Sequence, residues 1–312
     1  MNLQSLIEQY IAFRKGLGEY QGSNARTLRA FGRAIGPGAK IADVRPEQVD
    51  VFLAGTGPRT LTWHIKLSVL RPFYRYAVSR GFVNSVPLPT MIPKRPPAFV
   101  PYIFSHEEIR RLLRMVDADQ RRQICLEPVT MRTVLLLLYG AGLRVSEAVN
   151  LDRADVDLVG GVLTIRRTKF GKSRLVPLGP QLRPVLVEYA ARMGGHVIVD
   201  TPFFTTRTGR RIKKDTLQHN FRFLCGQAGV RRVDGARFQP RLHDLRHSFA
   251  VHRLTSWYRQ GADVQVLLPQ LSAYLGHVHI RHTQVYLTMT PELLHEAGQR
   301  FERYAGKEVG HA

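Results

Sequence analysis

Pro87, Pro89, Pro93, Pro96, Pro97 and Pro101 crowd into fifteen residues at about the first third of the chain. Each proline fixes its own φ and lacks a backbone N–H, so neither a helix nor an inner strand can run through this stretch. The chain must therefore fold on either side of it. Proline at this density makes the connection extended and semi-rigid. At 312 residues the chain also exceeds what one hydrophobic core usually holds. The expected division is a first domain over residues 1–92, a linker over 93–104 and a second domain over 105–312.

The first domain has the spacing of a small helical bundle. Leu3, Leu6, Ile7, Tyr10, Ile11 and Phe13 recur at helical intervals before Gly16 and Gly18. Further helices are expected over residues 24–35, after Pro46, and over 60–80, the last carrying Leu61, Ile65, Leu67, Leu70, Phe73, Tyr74 and Ala77. Residues 51–100 contain no Asp or Glu, yet they hold Arg59, Lys66, Arg71, Arg75, Arg80, Lys94 and Arg95. Solvated helix faces usually mix both signs, so an acid-free basic stretch is better explained by a phosphate backbone lying along it. The whole chain carries a formal charge of +22, which calls for an acidic partner, either nucleic acid or an anionic membrane. No apolar run approaches the length of a bilayer span, and residues 1–5 do not begin a signal peptide, so a cytoplasmic protein without a membrane is expected.

In the second domain, Ser105-His106-Glu107-Glu108 reads as a capping box opening a helix, and residues 128–139 as a buried helix ending at Gly140 and Gly142. Short strands are expected over residues 155–158, 162–168 and 174–177, with Lys169-Phe170-Gly171-Lys172 as the turn between the last two. Helices follow over residues 180–193 and 215–228, the second behind a basic loop holding Arg207, Arg211, Lys213 and Lys214. The fold class is thus mostly α with a small β-sheet, a helical bundle preceding an α+β domain. Cys125 and Cys225 have neither disulfide nor metal-ligand spacing and are read as core residues.

One turn concentrates the chemistry. Arg241-Leu242-His243-Asp244-Leu245-Arg246-His247 places His243 and Arg246 three apart on one helix face, with His247 one turn from His243. An Arg fork matches two phosphate oxygens and stays charged. The HDLRH pattern, followed by Leu275-Gly276-His277 and by Tyr286 nine positions later, resembles the tyrosine recombinase, or phage integrase, family. Arg144 in Gly142-Leu143-Arg144-Val145-Ser146-Glu147 and Lys169 in the hairpin complete the resemblance, which is strong over residues 105–305.

The resemblance implies site-specific cutting and rejoining of double-stranded DNA. Tyr286 would attack phosphorus to give a 3′-phosphotyrosine. Arg144 and Arg246 would hold the non-bridging oxygens, His243 and His277 would donate hydrogen bonds or move protons, and Lys169 would protonate the 5′-oxygen. Glu147 and His247 would support them, and no metal or cofactor is required. The first domain would be the family's core-binding domain, and the two domains would close around the duplex. DNA contacts are expected from Arg59, Lys66, Arg71, Arg75, Lys172, Arg211, Lys213 and Lys214. The working form would be a tetramer on DNA, of one recombinase or of related ones.

The interval over residues 255–272 is longer than in the bacterial recombinases that resolve chromosome dimers, which favours a mobile-element enzyme. A stripe of Leu293, Leu294, Ala297, Phe301 and Tyr304 after Pro291 would pack either on its own domain or on a neighbouring subunit. Three other readings share these residues. They are a zinc site built from His243, His247 and His277, a DNA-binding protein without catalysis, and a type IB topoisomerase.

Overall fold

The computed structural model describes residues 1–19, 22–56, 61–96, 99–118, 126–166, 173–193, 201–236 and 238–309, the last seven by backbone only. Two compact units divide after Phe99.

The first unit holds four helices: α1 (Leu3–Gly16), α2 (Gly22–Ile35), α3 (Pro46–Ala54) and α4 (Leu61–Ser79). The Asn2 side chain caps α1 by accepting from the Gln4 amide at 2.8 Å, and Pro46 opens α3, where its missing N–H costs nothing. Leu3, Leu6 and Ile7 of α1, Leu28 and Phe31 of α2, and Leu70, Phe73 and Tyr74 of α4 make the core. Burial of each such side chain contributes about 2 kcal/mol. Phe13 departs from the expected apolar stripe: it is half exposed, with its ring 5.2 Å from that of Tyr76. Leu61 and Ile65 are likewise exposed, on a solvent side of α4 that also carries Arg71 and Arg75.

The second unit, Val100–Ala312, is built on a buried helix. That helix is α6 (Pro128–Gly140), whose Met131, Val134, Leu137 and Leu138 have no exposed surface. Around it stand α5 (His106–Asp117), α8 (Leu182–Arg192) and α10 (Leu242–Arg259), with α9 (Lys214–Gln227) on the far side of α5. The capping box of α5 forms as expected. Ser105 Oγ accepts from the Glu108 amide at 3.1 Å, and Glu108 Oε2 from the Ser105 amide at 2.8 Å. Strands β1 (Val156–Asp157), β2 (Val162–Ile165) and β3 (Arg174–Pro177) form one antiparallel sheet in that order, with Leu163 opposite Val176 and both fully buried. The chain is thus mostly helical with one small sheet.

A second hydrophobic cluster joins α10 to α11 (Val264–Leu275) and to the segments that follow. These are α12 (Arg281–Gln284), a 3-10 turn over Val285–Thr288, and α13 (Pro291–Val309). Of the stripe on α13, Leu293 is fully buried whereas Leu294 and Phe301 stand in solvent. Arg259 on α10 pairs with Glu292 at 2.5 Å and Glu296 at 2.8 Å, so α13 lies on its own domain in this chain. No helix among the described residues is long and apolar enough to cross a membrane.

Candidate active site

Two glycines shape the floor of the site. After α6 the chain turns at Gly142 with φ +59°, which places Arg144 at the N-cap of α7 (Val145–Val149). Gly276 ends α11 in the left-handed conformation at φ 68° and ψ 44°. A Cβ on Gly142 would lie 2.4 Å from Phe249 Cδ1, and one on Gly276 would lie 2.9 Å from Arg174 Nη1. Gly276→Ala is therefore expected to cost about 1–2 kcal/mol from backbone strain alone and to displace Arg174. Urea denaturation of the variant measures this, and an unchanged midpoint would contradict it.

The last carbonyls of α11 each take one guanidinium. Tyr274 C=O accepts from Arg174 Nε at 2.9 Å, Leu275 C=O from Arg246 Nη2 at 2.6 Å, and Gly276 C=O from Arg144 Nη2 at 3.0 Å. A helix C-terminus leaves these carbonyls without intrahelical donors and carries partial negative charge, so three cations converge there with favourable electrostatics. Glu147 is their shared counter-ion. It accepts from Arg144 Nη1 at 2.6 Å and from the Arg144 amide at 2.9 Å. The Arg174 fork grips both of its oxygens, at 2.8 and 2.9 Å, and Arg246 Nη1 lies 3.9 Å away. Burial pushes the Glu147 carboxyl up, but its bonds to Arg174 and Arg144 outweigh that and hold it at about 2.

Arg246 is 1% exposed and is the centre of the group. Its Nη1 also donates to Gly142 C=O at 2.7 Å, and its Nη2 to His277 Nε2 at 3.0 Å. Burial, then the neighbouring Arg144, lower its pKa to about 10, so it stays charged at neutral pH. Because an Arg can only donate, His277 Nε2 is the bare nitrogen of a neutral ring, and its Nδ1–H donates to Thr283 Oγ1 at 2.8 Å. Burial and the adjacent Arg246 and Arg144 push the His277 pKa down to about 3.

Tyr286 sits on the 3-10 turn, 3% exposed, with its ring stacked 6.2 Å from that of His277 and its phenol within electrostatic reach of Arg246. Burial raises its pKa, while Arg246 and Arg144 act the other way. His247 lies with its ring centroid 5.6 Å from that of Tyr286, and burial followed by Arg241 and Arg246 lowers its pKa to about 4. Its Nδ1 is buried without a hydrogen-bond partner among the described residues.

Arg144, Glu147, Arg246, His277 and Tyr286 are thus brought together. His243 stands at the exposed rim and joins the group through His247, whose ring lies perpendicular to it at 4.8 Å. The face expected for His243 and Arg246 together is split, because the buried guanidinium reaches inward to α11 while the imidazole sits at the rim, partly covered by His247. Lys169, Lys172, Arg59 and Cys125 lie outside the described residues. Cys225 is buried on α9.

Of the expected DNA contacts, Arg71, Arg75, Lys213 and Lys214 are exposed. Two others are engaged within the protein. Lys66 donates to Phe52 C=O and lies 4.6 Å over the Phe52 ring. Arg211 pairs with Asp152 and donates to the carbonyls of Val149 and Leu151. Among the described residues no three His, Cys, Asp or Glu are placed to hold a metal.

The sequence reading missed Arg174 and Thr283. Arg174 had a signal: it shares the inward parity of β3 with buried Val176, where a charge needs a partner.

Comparison with known proteins shows which family the chain belongs to. Residues 103–292, more than half of the chain, match the phage integrase family. The chain belongs to the phage integrase family. It is similar to a protein of Sinorhizobium fredii named as an integrase/recombinase, at 38% identity over 95% of this chain and 96% of that one. Tyrosine recombinase XerC of Chlorobaculum tepidum is 31% identical over 83% of this chain and 77% of its own length. Among solved structures, the integrase of transposon Tn1549 in complex with a circular intermediate DNA has the same fold, with a TM-score of 0.70, 16% identity and coverage of 97% and 99%. The chain is a DNA recombinase of the tyrosine type.

The buried histidines and Glu147 also give this member of the family an acid-sensitive site. His277 and His247 hold a proton less readily folded, at about 3 and 4, than at their ordinary 6.5. As pH falls below about 6.5 the unfolded chain takes up protons first, which lowers stability down to the folded values. Glu147 adds to this lower down. Its folded pKa of about 2 lies below the ordinary 4.5, so its contribution is complete above 4.5 and is lost as pH falls toward 2. The denaturation midpoint is expected to drop between about pH 7 and about pH 4, and His277→Asn to flatten that drop. A midpoint that stays level or rises would contradict the neutral assignment.

Proposed function

We propose that this recombinase cuts one DNA strand with Tyr286 while Arg144 and Arg246 hold the non-bridging oxygens of the scissile phosphate. The Tyr286 oxygen bonds to phosphorus, the bond from phosphorus to the 5′-oxygen breaks, and the products are a 3′-phosphotyrosine and a 5′-hydroxyl. Lys169, placed by resemblance in the hairpin between β2 and β3, delivers the proton to that 5′-oxygen. His243 at the rim donates to the phosphate, and neutral His277, once Arg246 turns to the substrate, presents an unprotonated nitrogen that takes the Tyr286 phenol proton as its oxygen bonds to phosphorus. No cofactor enters these steps. The bond energy stays in the phosphotyrosine, so the reverse attack by a hydroxyl from another duplex rejoins the strands.

The observation that carries this reading is the convergence of Arg144, Arg246, His277 and Tyr286 at the end of α11. Three guanidiniums against the single carboxylate of Glu147 leave two positive charges, matching the doubly negative five-coordinate phosphorus of the transition state. Arg71, Arg75, Lys213 and Lys214 are exposed and contact phosphates outside the cut site. Exchange between two duplexes cuts four strands, so the working form is a tetramer on DNA, of this chain alone or with related recombinases. The longer interval before Gly276 supports a mobile-element role, and action on DNA is consistent with a cytoplasmic location.

The test uses nicked duplexes tiled across the DNA that flanks the chain's own gene, in which the fragment beyond the cut diffuses away and traps the intermediate. A detergent-stable protein–DNA adduct is expected on a small subset of the tile. Its absence from every duplex would leave a DNA-binding protein without catalysis, and adducts at every duplex, with plasmid relaxation, would favour a topoisomerase.

A further inference from the structure

We infer that Arg174 is a positioning residue for strand cleavage, the third guanidinium of the site, which acts through Glu147 to hold Arg144 at the phosphate. The inference rests on the reaction proposed above. Arg144 is itself partly exposed and sits at the N-cap of a five-residue helix, so little else fixes its long side chain. What does fix it is Glu147 Oε1 at 2.6 Å and Gly276 C=O at 3.0 Å. Arg174 controls both supports. Its fork takes the two oxygens of Glu147, and its Nε is bonded to Tyr274 C=O, two residues before Gly276.

A planar fork that bonds a carboxylate on one edge and a carbonyl on the other has no equivalent in a lysine, which offers a point charge only. The side chain of Arg174 is 12% exposed, so it is braced by the protein and has little surface for DNA. Gly276 is required for the same reason, since a Cβ there would meet the Arg174 guanidinium.

Three charged groups face Glu147: Arg144 from its own helix, Arg174 from β3 and Arg246 from α10, with His277 next behind Arg246. Removing Arg174 leaves a buried carboxyl with one close partner, so burial draws its proton affinity upward and Glu147 becomes neutral at mildly acidic pH. Arg144 then loses its anchor.

The experiment compares adduct formation by wild type, Arg174→Met, Arg174→Lys and Glu147→Gln/Arg174→Met on the trapped nicked duplex, from about pH 5.5 to about pH 8.5. Melting curves and binding to an uncut duplex are measured in parallel. Arg174→Met is expected to cleave at least ~10-fold more slowly near the acid end and to recover part of the loss as pH rises, with DNA binding unchanged. Arg174→Lys is expected to restore part of the rate, and the double variant to lose the recovery at high pH. If Arg174→Met does not fold, Arg174→Lys must give the same new acid limb in weaker form. A rate equal to wild type, or a loss that is the same at every pH, would overturn the inference while an adduct from the wild type left the reaction standing. No adduct from the wild type overturns both.

Discussion

The Tyr286→Phe chain is expected to form no covalent adduct with DNA, at least ~10⁴-fold below wild type, while it folds and binds the same duplexes. The substitution isolates one oxygen. Phenylalanine keeps the ring that packs 5.6 Å from His247 and 6.2 Å from His277, and nothing larger enters a site where the side chain is 3% exposed. What is lost is one hydroxyl beside the Arg246 guanidinium, worth about 1 kcal/mol of stability or less. A small structural effect beside a total chemical one is the signature of a nucleophile, and a structural phenol gives the reverse. The measurement is a gel assay on the trapped nicked duplex, with binding followed on an uncut one.

The second large effect is expected at Arg246. Arg246→Lys is predicted to lower cleavage by about 10³-fold or more and to destabilise the fold by about 2–4 kcal/mol. Both follow from the position of the guanidinium. It is 1% exposed and donates at once to Gly142 C=O, Leu275 C=O and His277 Nε2. A lysine at this site has one donor centre in place of a planar fork, so at least one buried carbonyl is left without a partner. The same loss removes the paired donors that fit a phosphate. Cleavage within tenfold of wild type, or an unchanged denaturation midpoint, would contradict the buried role given to Arg246.

Parts of this were legible in the sequence because they depend on local pattern. Helices α1 and α6 follow from apolar spacing with clear stops, and the Ser105 capping box from four adjacent residues. The inward parity of Leu163 follows from alternation along β2. The HDLRH and Leu-Gly-His motifs named Arg246, His277 and Tyr286, which the fold gathers from α10, the end of α11 and the 3-10 turn.

What was not legible depends on tertiary placement. Helical spacing alone puts His243 beside Arg246. The long guanidinium, however, follows the carbonyls of α11 into the interior while the short imidazole stays at the rim. Leu61 and Ile65 have the spacing of core residues, yet α4 meets its neighbours on one face only and leaves both in solvent. A surface role for Lys66 and Arg211 was inferred from charge, and only the fold reveals the carbonyls and the carboxylate that engage them. The carbonyls of Tyr274, Leu275 and Gly276 carry no side-chain signature at all. Their use as a seat for three guanidiniums follows from where α11 ends, which is set by the left-handed Gly276.

The central claim is that one phenol becomes joined to DNA within this cluster. The trapped adduct, digested with protease and nuclease and read by tandem mass spectrometry, identifies the residue that carries the nucleotide remnant. The expected result is a phosphodiester on Tyr286 in the peptide that follows His277. A remnant on any other side chain, with Tyr286 recovered unmodified, would contradict the account.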